Sequence, residues 1–383
     1  MNDLQYLISM YNNKGWNYKD LSKNESITTK YVKDNKEMPW VWGKHGLSSN
    51  ISIDYKFLEN NLDKCIEWGA YGISSNNGIT TKMYNRNIDK SLSYGCEGLS
   101  INKNITPEFI EEHIDKPWEW GDFGLSYYLD IIYFERFKDK PWEWGEYGIS
   151  LNSSINIEFI DKYINKAWEW GTMGLSSNRG ITIEIIDKYI NEAWEWGAMG
   201  LSSNKNITIE IIDKYINKPW DWGKHGLSSN IGITKEIIEK YKDKAWCWGK
   251  FGLSNNNSIT PEIIELYPNK NWKYGMYGLS GNDSITIEFI EKNIDKEWCW
   301  GKFGLSRNRN LNADFIEKYI YKNWDYGSYG LSSNNFNYRN KKRIIIKNYI
   351  EERYWNWKKN FESKRMHPES EYLLNIVSEW YNI

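Results

Sequence analysis

The sequence predicts an all-α solenoid of about 12 helix-turn-helix repeats, each 26 residues long. A leucine or isoleucine before a recurring serine sets the period, because eleven of its twelve spacings are 26 residues and one is 24. Most of the 23 Trp residues recur at two fixed positions of the same unit. Such a chain buries the apolar face of each unit only against its neighbours. The period-setting residues are Leu21, Leu47, Ile73, Leu99, Leu125, Ile149, Leu175, Leu201, Leu227, Leu253, Leu279, Leu305 and Leu331.

The second half of each unit predicts an amphipathic helix. In the segment 181–190, apolar residues stand at i, i+1, i+4 and i+5, which places them on one face of a helix. Thr182 is a suitable N-cap because its hydroxyl accepts a hydrogen bond from a free amide of the first turn, and Glu184 lies at the positive end of the helix dipole. Pro107 and Pro261 directly follow the equivalent threonines of two other units, and proline is favoured at the first helical position.

The first half of each unit, Pro/Ala-Trp-x-Trp-Gly-x-x-Gly-Leu-Ser-x-Asn, predicts a second helix that begins near Pro117, Ala193 and their equivalents. Two glycines cost such a helix about 1 kcal/mol each relative to alanine, so we expect a close approach to another helix or to an indole. Asn178 and Asn204 would end the helix, either in the left-handed conformation or by hydrogen bonding to the turn. The alternative is a short strand at Trp-x-Trp, which would give an α/β or β-solenoid.

The two ends of the chain predict caps for this array. Aligning Trp16 with Trp194 places an apolar pattern in residues 3–12, so we expect residues 1–15 to form an N-terminal capping helix of a solenoid that spans 1–334. Residues 335–383 follow the last unit, and from Arg339 to Ile383 the sequence has ten basic and six acidic residues. Because a solenoid needs a terminal cap with a polar outer face, we expect a basic helical cap at 335–383.

The composition excludes several classes of function. A net charge of −2 argues against a surface that binds nucleic acid over its whole extent, since phosphate neutralisation supplies most non-specific affinity. The N-terminus lacks a basic stretch followed by an apolar core, and no run of about 18 apolar residues occurs. Cys247 and Cys299 stand two units apart, too far for a disulfide, which favours a reducing compartment. We therefore expect an intracellular, non-secreted protein with no membrane partner.

The repeat also argues against catalysis. An active site needs unlike residues that converge at one place, whereas a repeat distributes like residues along a line. The spacing of the four histidines indicates no metal cluster, and the Gly-x-x-Gly turns lack the context of a phosphate-binding loop. We therefore predict no enzyme activity, cofactor, metal or small-molecule substrate. The recurring indoles are interpreted as a buried ladder, with an exposed platform for bases or sugars as the alternative, and the recurring asparagines as a hydrogen-bonded turn ladder.

Recognition is expected where the units differ within their common frame. The first residue between the two glycines varies widely, which indicates exposure, and the second is mostly bulky, which favours packing, with a groove as the alternative. Lysines at the first position form a basic row that continues towards the basic cap. This row predicts a protein partner, with RNA or single-stranded nucleic acid as the alternative. The hypothesised partner-binding surface consists of Lys224, Lys250, Lys302, Arg339, Lys341, Lys342 and Arg343.

The phrase Lys-Pro-Trp-x-Trp-Gly-x-x-Gly-Leu-Ser-x-Asn-x-x-Ile-Thr-x-Glu-x-Ile occurs with small departures at 218–238. It resembles the Trp-rich tandem repeats of proteins from giant nucleocytoplasmic large DNA viruses. The similarity covers residues 16–334, apart from the irregular stretches 91–94 and 125–135, and excludes the C-terminal segment. The resemblance implies a repeat scaffold with no assigned activity, a viral or host protein as its partner, and the host cytoplasm or the virion as its location.

Overall fold

Each repeat folds into a non-helical Trp-x-Trp segment, a tight turn, one 3-10 turn and a short α-helix. In a central unit of the computed structural model, residues 193–196 are non-helical, 198–200 form the turn, Leu201–Ser203 a 3-10 helix and Ile209–Lys214 an α-helix. The structure describes residues 2–336, which belong to one compact unit. Almost all of the predicted C-terminal cap, from residue 337 onwards, therefore lies outside the described residues.

The described residues form α-helices and 3-10 helices and contain no β-strand. The all-α prediction is thus confirmed for residues 2–336, and the strand alternative is wrong for them. The α-helices are α1 (Asp3–Met10), α2 (Tyr18–Lys23), α3 (Thr29–Asp34), α4 (Tyr55–Glu59), α5 (Thr81–Arg86), α6 (Pro107–Glu112), α7 (Leu125–Tyr128), α8 (Ile157–Lys162), α9 (Ile183–Lys188), α10 (Ile209–Lys214), α11 (Lys235–Lys240), α12 (Pro261–Leu266), α13 (Ile287–Lys292) and α14 (Ala313–Lys318). The 3-10 helices are Leu47–Ser49, Ile73–Ser75, Leu99–Ile101, Ile131–Phe137, Ile149–Leu151, Leu175–Ser177, Leu201–Ser203, Leu227–Ser229, Leu253–Asn255, Leu279–Gly281, Leu305–Arg307 and Leu331–Ser333.

The amphipathic helix predicted in the second half of the unit is confirmed. In α9, Ile185 and Ile186 are buried, as their spacing on one helix face predicts. Thr182 is the N-cap residue with extended backbone, but its side chain makes no capping bond to an amide. Instead, a hydrogen bond with Thr182 and one with the backbone amide of Glu184 hold the pKa of the Glu184 carboxyl below its ordinary value.

The helix predicted in the first half begins later than expected. We predicted a start near Ala193, but residues 193–196 are non-helical and the only helical turn is Leu201–Ser203. Asn204, one candidate for the left-handed conformation, has a φ of −74°. The left-handed residue is instead the second one between the glycines, since Met199 has a φ of 61°. The chain therefore reverses at the glycine turn and not at the asparagine.

The second glycine of the turn is required by a close approach of the chain to itself. A Cβ at Gly200 would overlap the carbonyl oxygen and the side chain of Glu195. The Leu201 amide donates to that same carbonyl oxygen at 2.8 Å, which fixes the turn against the Trp-x-Trp segment. The approach that we expected towards another helix or an indole is therefore an approach to backbone five residues earlier.

The indoles form a ladder through the core. The first Trp of a unit donates its ring N–H to a carbonyl oxygen five residues earlier, as Trp194 does to Tyr189 at 2.8 Å. The second Trp meets the first Trp of the next unit edge to face, with 5.2 Å between the ring centroids of Trp196 and Trp220. Trp194 and Trp196 are only 7% and 6% exposed, so the buried-ladder interpretation is confirmed for this pair.

Buried serine and asparagine side chains bind each unit to both neighbours. The Ser202 hydroxyl donates to a carbonyl oxygen of its own unit at 2.5 Å and accepts from the Asp221 amide of the next unit at 2.9 Å. The Asn204 amide group donates to the carbonyl oxygens of Ser176 and Asn178 in the preceding unit at 3.1 and 2.8 Å. Because buried backbone carbonyls need hydrogen-bond partners, the predicted asparagine ladder is confirmed and fixes the register between units.

The array closes on itself, because its first unit packs on its last through the contacts that join neighbouring units elsewhere. The Asn24 amide group donates to the carbonyl oxygens of Ser332 and Asn334, both at 3.1 Å. Trp16 meets Tyr326 edge to face with the ring centroids 5.1 Å apart. Both geometries reproduce those of the interior junctions. We call the junction between residues 3–34 and 305–336 the seam.

Helix α1 completes the seam. The hydroxyls of Tyr6 and Tyr11 donate to the Glu317 carboxylate of α14 at 3.0 and 3.2 Å. On its other side, α1 is tied to the unit that follows it, because the Gln5 side chain donates to the Ser26 carbonyl oxygen at 2.8 Å. Residues 1–15, which the sequence assigns to a capping helix at a free end, therefore have neighbours on both sides.

The ladder also passes through the short unit of 24 residues. Here α7 replaces the usual 3-10 turn, and a 3-10 helix at Ile131–Phe137 replaces the usual α-helix. The asparagine that would end the turn is missing from this unit, yet Asn152 of the next unit still donates to the carbonyl oxygens of Ser126 and Leu129 at 3.0 and 2.7 Å. The backbone acceptors thus persist where the local secondary structure changes.

Candidate functional site

The glycine turns of successive units form one continuous edge, which we call the turn row. It comprises the two residues between the glycines of each unit together with the residue x of Trp-x-Trp. In six turns the amide of the second turn residue donates to the carbonyl oxygen of its counterpart in the next unit, as from Phe123 to Tyr147 at 3.1 Å and from Phe251 to Tyr277 at 3.0 Å. Equivalent side chains of neighbouring units therefore lie side by side along this edge.

One part of the turn row is basic. We define the basic sector as the turn-row residues within 246–304. Its charged residues are Lys250, Lys273 and Lys302, all three of which are exposed, and the turn row contains no acidic residue in this range. The residue x, which is glutamate in many other units, is here Cys247, Lys273 or Cys299.

The second turn residues of the basic sector and of the unit after it form a stack of aromatic rings. Ring centroids are 4.6 Å apart for Phe251 and Tyr277, 5.3 Å for Tyr277 and Phe303, and 4.7 Å for Phe303 and Tyr329. Interplanar angles of 27°, 29° and 39° show that the faces of the rings point at one another. Phe251 and Tyr329 are nevertheless 43% and 48% exposed. The stack is therefore partly packed and partly open to solvent.

Both faces of Tyr277 and Phe303 are occupied by neighbouring rings, so solvent meets mainly the edges of these two rings. Directly stacked rings leave no gap into which a nucleic-acid base could insert, as it does on a single-strand platform. Aromatic edges carry positive partial charge, and the lysine ammonium groups add full positive charge beside them. An anionic group next to an apolar one is thus the chemistry that this surface complements.

The structure brings three of the predicted site residues to this edge. Lys302 Nζ lies 4.4 Å from the ring centroid of Tyr329 and 5.2 Å from that of Phe303, a cation–π arrangement that holds the ammonium over the stack. Lys250 and Lys224 occupy the equivalent position in preceding units, and both are exposed. The remaining predicted site residues lie outside the described part of the chain; they are Arg339, Lys341, Lys342 and Arg343.

A second part of the turn row is acidic. We define the acidic sector as the turn-row residues within 118–200, which include no lysine or arginine. Four of its acids are the residue x of Trp-x-Trp and are half-buried, because their carboxylates accept a hydrogen bond from the first glycine, as Glu195 does from Gly197 at 2.7 Å. Asp122 and Glu146 stand between the glycines and are exposed. The acids of the sector are Glu119, Asp122, Glu143, Glu146, Glu169 and Glu195.

Many charges on the α-helices, by contrast, are paired within the array. The Lys214 ammonium lies 2.6 Å from the Asp187 carboxylate of the preceding helix, and the Tyr215 hydroxyl donates to the same carboxylate. These two bonds lower the pKa of Asp187, the lysine contributing most. The carboxylate in turn raises the pKa of Tyr215, although burial is the larger cause. Charges held in this way are less available to a partner than those of the turn row.

The described residues offer few other sites. Within residues 2–336, no group of three or more His, Cys, Asp or Glu side chains is placed to hold a metal ion. The four cysteines are free, and Cys65 and Cys96 are exposed. Among the helices of the same residues, none is long and apolar enough to cross a membrane.

Comparison of the chain with protein-family models, with curated proteins and with solved structures found no match.

The sequence predicts the basic row. It did not lead us to the acidic sector, whose charge is opposite to that of the basic sector, or to the ring stack. The glutamates at position x lie within the helix that the sequence predicts to begin near Pro117 and Ala193, and that helix does not form there. The signal was present in the sequence, because the residue x changes from glutamate in Glu119 and Glu195 to cysteine or lysine in Cys247 and Lys273.

Proposed function

We propose that the chain is a non-enzymatic scaffold, an array of about 12 repeats, that binds a protein partner through the basic sector of its turn row. The observation that supports this function most is that the buried positions of each unit are constant whereas its exposed turn positions vary. Buried Ser202, Asn204 and Trp194, together with their equivalents, hold neighbouring units together, whereas the exposed turn positions differ from unit to unit. A constant frame with a variable edge is typical of repeat proteins that bind other proteins.

The chemistry of the basic sector favours an acidic protein surface over a nucleic acid. The partner would place carboxylates against Lys250 and Lys302 and apolar groups against the edges of Phe251 and Tyr329. A single-stranded nucleic acid gains most of its affinity from base stacking and from phosphate contacts. The first is hindered here by rings that already stack on each other, and the second is limited by the small number of lysines. That a viral protein is the partner rests on the resemblance of the repeat alone.

The test is a comparative affinity purification from infected cells. The bait proteins are the wild-type chain and a K224E/K250E/K302E variant, each with and without ribonuclease. We expect proteins that are retained by the wild type, insensitive to ribonuclease and lost with the variant. Equal retention of the same proteins by both baits would contradict the assignment of the site. Ribonuclease-sensitive retention, together with steeply salt-dependent binding of random RNA, would favour nucleic acid instead.

A further inference from the structure

We propose that the partner of the basic sector is the acidic sector of a second copy of this chain, so that the protein forms a two-fold symmetric dimer through its turn row. This inference rests on the proposed function in one respect, because it takes the basic sector to be a protein-binding surface. It adds the identity of the partner, which is a second copy of this chain. It also gives the acidic sector a role, which binding of an unrelated acidic protein would not do.

The first observation is charge complementarity on one edge of one molecule. The acidic sector carries six carboxylates and no base, and the basic sector three lysines and no acid. Both occupy equivalent positions of the repeating unit within the turn row, so both face the same side of the array. The ladder fixes the units in order along that edge. The two sectors of one copy therefore have no means of meeting each other, whereas those of two copies do.

The second observation is register. A two-fold axis relates two copies in opposite chain directions, so the contact is isologous: each sector of one copy meets the other sector of its partner. An axis that passes between the turns of Glu195 and Lys224 brings these two turns together. Each further step away from the axis then pairs one acidic turn with one basic turn. The resulting pairs are Glu195 with Lys224, Glu169 with Lys250, Glu143 and Glu146 with Lys273, and Glu119 and Asp122 with Lys302. The Lys224 turn also contains Asp221, whose carboxylate accepts a hydrogen bond from the Gly223 amide of its own turn at 2.7 Å.

The third observation is that both sectors also expose apolar side chains between their charges. Phe123 and Met199 of the acidic sector are 49% and 57% exposed. Phe251 and Met276 of the basic sector are 43% and 38% exposed. Apolar groups ringed by complementary charges are the usual composition of a protein–protein interface. The hydrophobic effect would supply affinity in this contact, and the charges would supply register and salt dependence.

The test measures the mass of the full chain in solution by sedimentation equilibrium at about 0.05 M and about 0.5 M salt. We expect a wild-type dimer at low salt whose dissociation constant rises at high salt. Two charge-reversal variants test the two sectors of the contact separately, one in the basic sector and one in the acidic sector. K250E/K302E gives the basic sector two carboxylates and one lysine, and E119K/D122K/E169K places lysines opposite Lys250 and Lys302, so each is expected to raise the dimer dissociation constant by roughly tenfold or more.

The decisive sample is an equimolar mixture of the two variants. Each variant alone places like charges at the Glu169–Lys250 pair and at the pair of Glu119 and Asp122 with Lys302, whereas the mixture restores opposite charges at both places on both sides of the two-fold axis. We therefore expect a heterodimer in the mixture from two variants that are monomers when alone. The control is K138E/K242E, which reverses two exposed lysines outside the turn row and is expected to dimerise like the wild type. Unfolding of a variant would be seen as a change in its circular dichroism, and the mixture requires only that both variants fold.

A monomeric wild type at low salt, or a mixture that stays monomeric, would overturn the dimer. If such a monomer still retained protein partners through Lys250 and Lys302 in the affinity purification, the proposed function would stand and only the identity of the partner would fall. If the charge reversals altered neither self-association nor protein retention, both proposals would fail.

Discussion

The buried ladder and the turn row of this protein differ in how much their residues vary from unit to unit. In the ladder, residues such as Ser202 and Asn204 recur in nearly every unit and make equivalent hydrogen bonds, including those from Asn152 to the short unit and from Asn24 across the seam. In the turn row, the charge changes sign between Glu169 and Lys250, and the backbone bonds from turn to turn occur in only part of the row. Stability and the proposed recognition thus depend on separate positions of the unit, so substitutions should affect one and spare the other.

The largest loss of stability is expected where the ladder approaches the turn. Replacing Gly200 by alanine places a methyl group on the Glu195 carbonyl oxygen, and the backbone has to move. We expect the free energy of unfolding to fall by about 2–3 kcal/mol, measured by urea denaturation. The matched control is Gly197→Ala, where the new methyl group meets only the movable end of the Glu195 side chain. Equal losses for the two variants would show that the close approach is not what the glycine provides.

The next largest effect is expected for the asparagine ladder. Asn204→Ala leaves the carbonyl oxygens of Ser176 and Asn178 buried without this donor, and we expect a loss of about 1–3 kcal/mol. Asn24→Ala removes the equivalent bonds at the seam and should cost as much. The exposed Asn191 serves as the control, since its replacement by alanine should leave the melting temperature almost unchanged. A negligible loss for Asn24→Ala beside a large one for Asn204→Ala would contradict the closure.

A smaller, pH-dependent effect is expected from the carboxylates on the helices. Lys188, Lys214 and Lys240 lower the pKa values of Asp161, Asp187 and Asp213 in the folded state. Carboxylates with a lowered pKa stabilise the folded state above the ordinary pKa of aspartate, and this contribution is lost as the pH falls through the lowered values. Between about pH 6 and about pH 2, the melting temperature of the triple variant D161N/D187N/D213N should therefore fall by less than that of the wild type. Parallel pH profiles for both proteins would contradict this pairing.

The smallest effect on stability is expected in the turn row itself. Lys302→Glu removes a cation–π contact at the surface, and we expect the free energy of unfolding to change by no more than about 0.5 kcal/mol. The same substitution should weaken binding to the acidic partner, which separates the two roles of the unit. A destabilisation as large as that of Asn204→Ala would show that Lys302 belongs to the frame.

The sequence predicts the periodic parts of this fold well, because they depend on local pattern. The apolar face of α9, the N-cap position of Thr182 and the buried pair of Trp194 and Trp196 all follow from spacing. The shape of the first half of the unit was missed, since the overlap that Gly200 avoids depends on backbone five residues away. Periodicity alone likewise gives a helix at Ala193 and no account of the left-handed Met199.

Closure of the array could not be predicted from the repeat, because it depends on the sum of small rotations between units. The sequence signal for closure lies in the first unit and in the last described unit. The incomplete first unit retains Trp16 and Asn24, the residues that need a preceding unit, and the last described unit retains Tyr326 and Ser332, the residues that need a following one. In a closed array the first unit supplies the partners that the last unit needs, and the last unit supplies those that the first unit needs. A capped rod would leave both sets of residues without these partners.

The closure is tested most directly by the distance between spin labels placed on either side of the seam. In a background with the four cysteines replaced by serine, cysteines at Lys23 and Ser333 carry the labels, and a second sample carries them at Ser203 and Ser229, the equivalent exposed positions of an interior junction. The dipolar broadening of continuous-wave electron paramagnetic resonance spectra should be equally strong for both pairs if the first unit packs on the last. A seam distance much longer than the interior one would show that the array is open and would contradict the account.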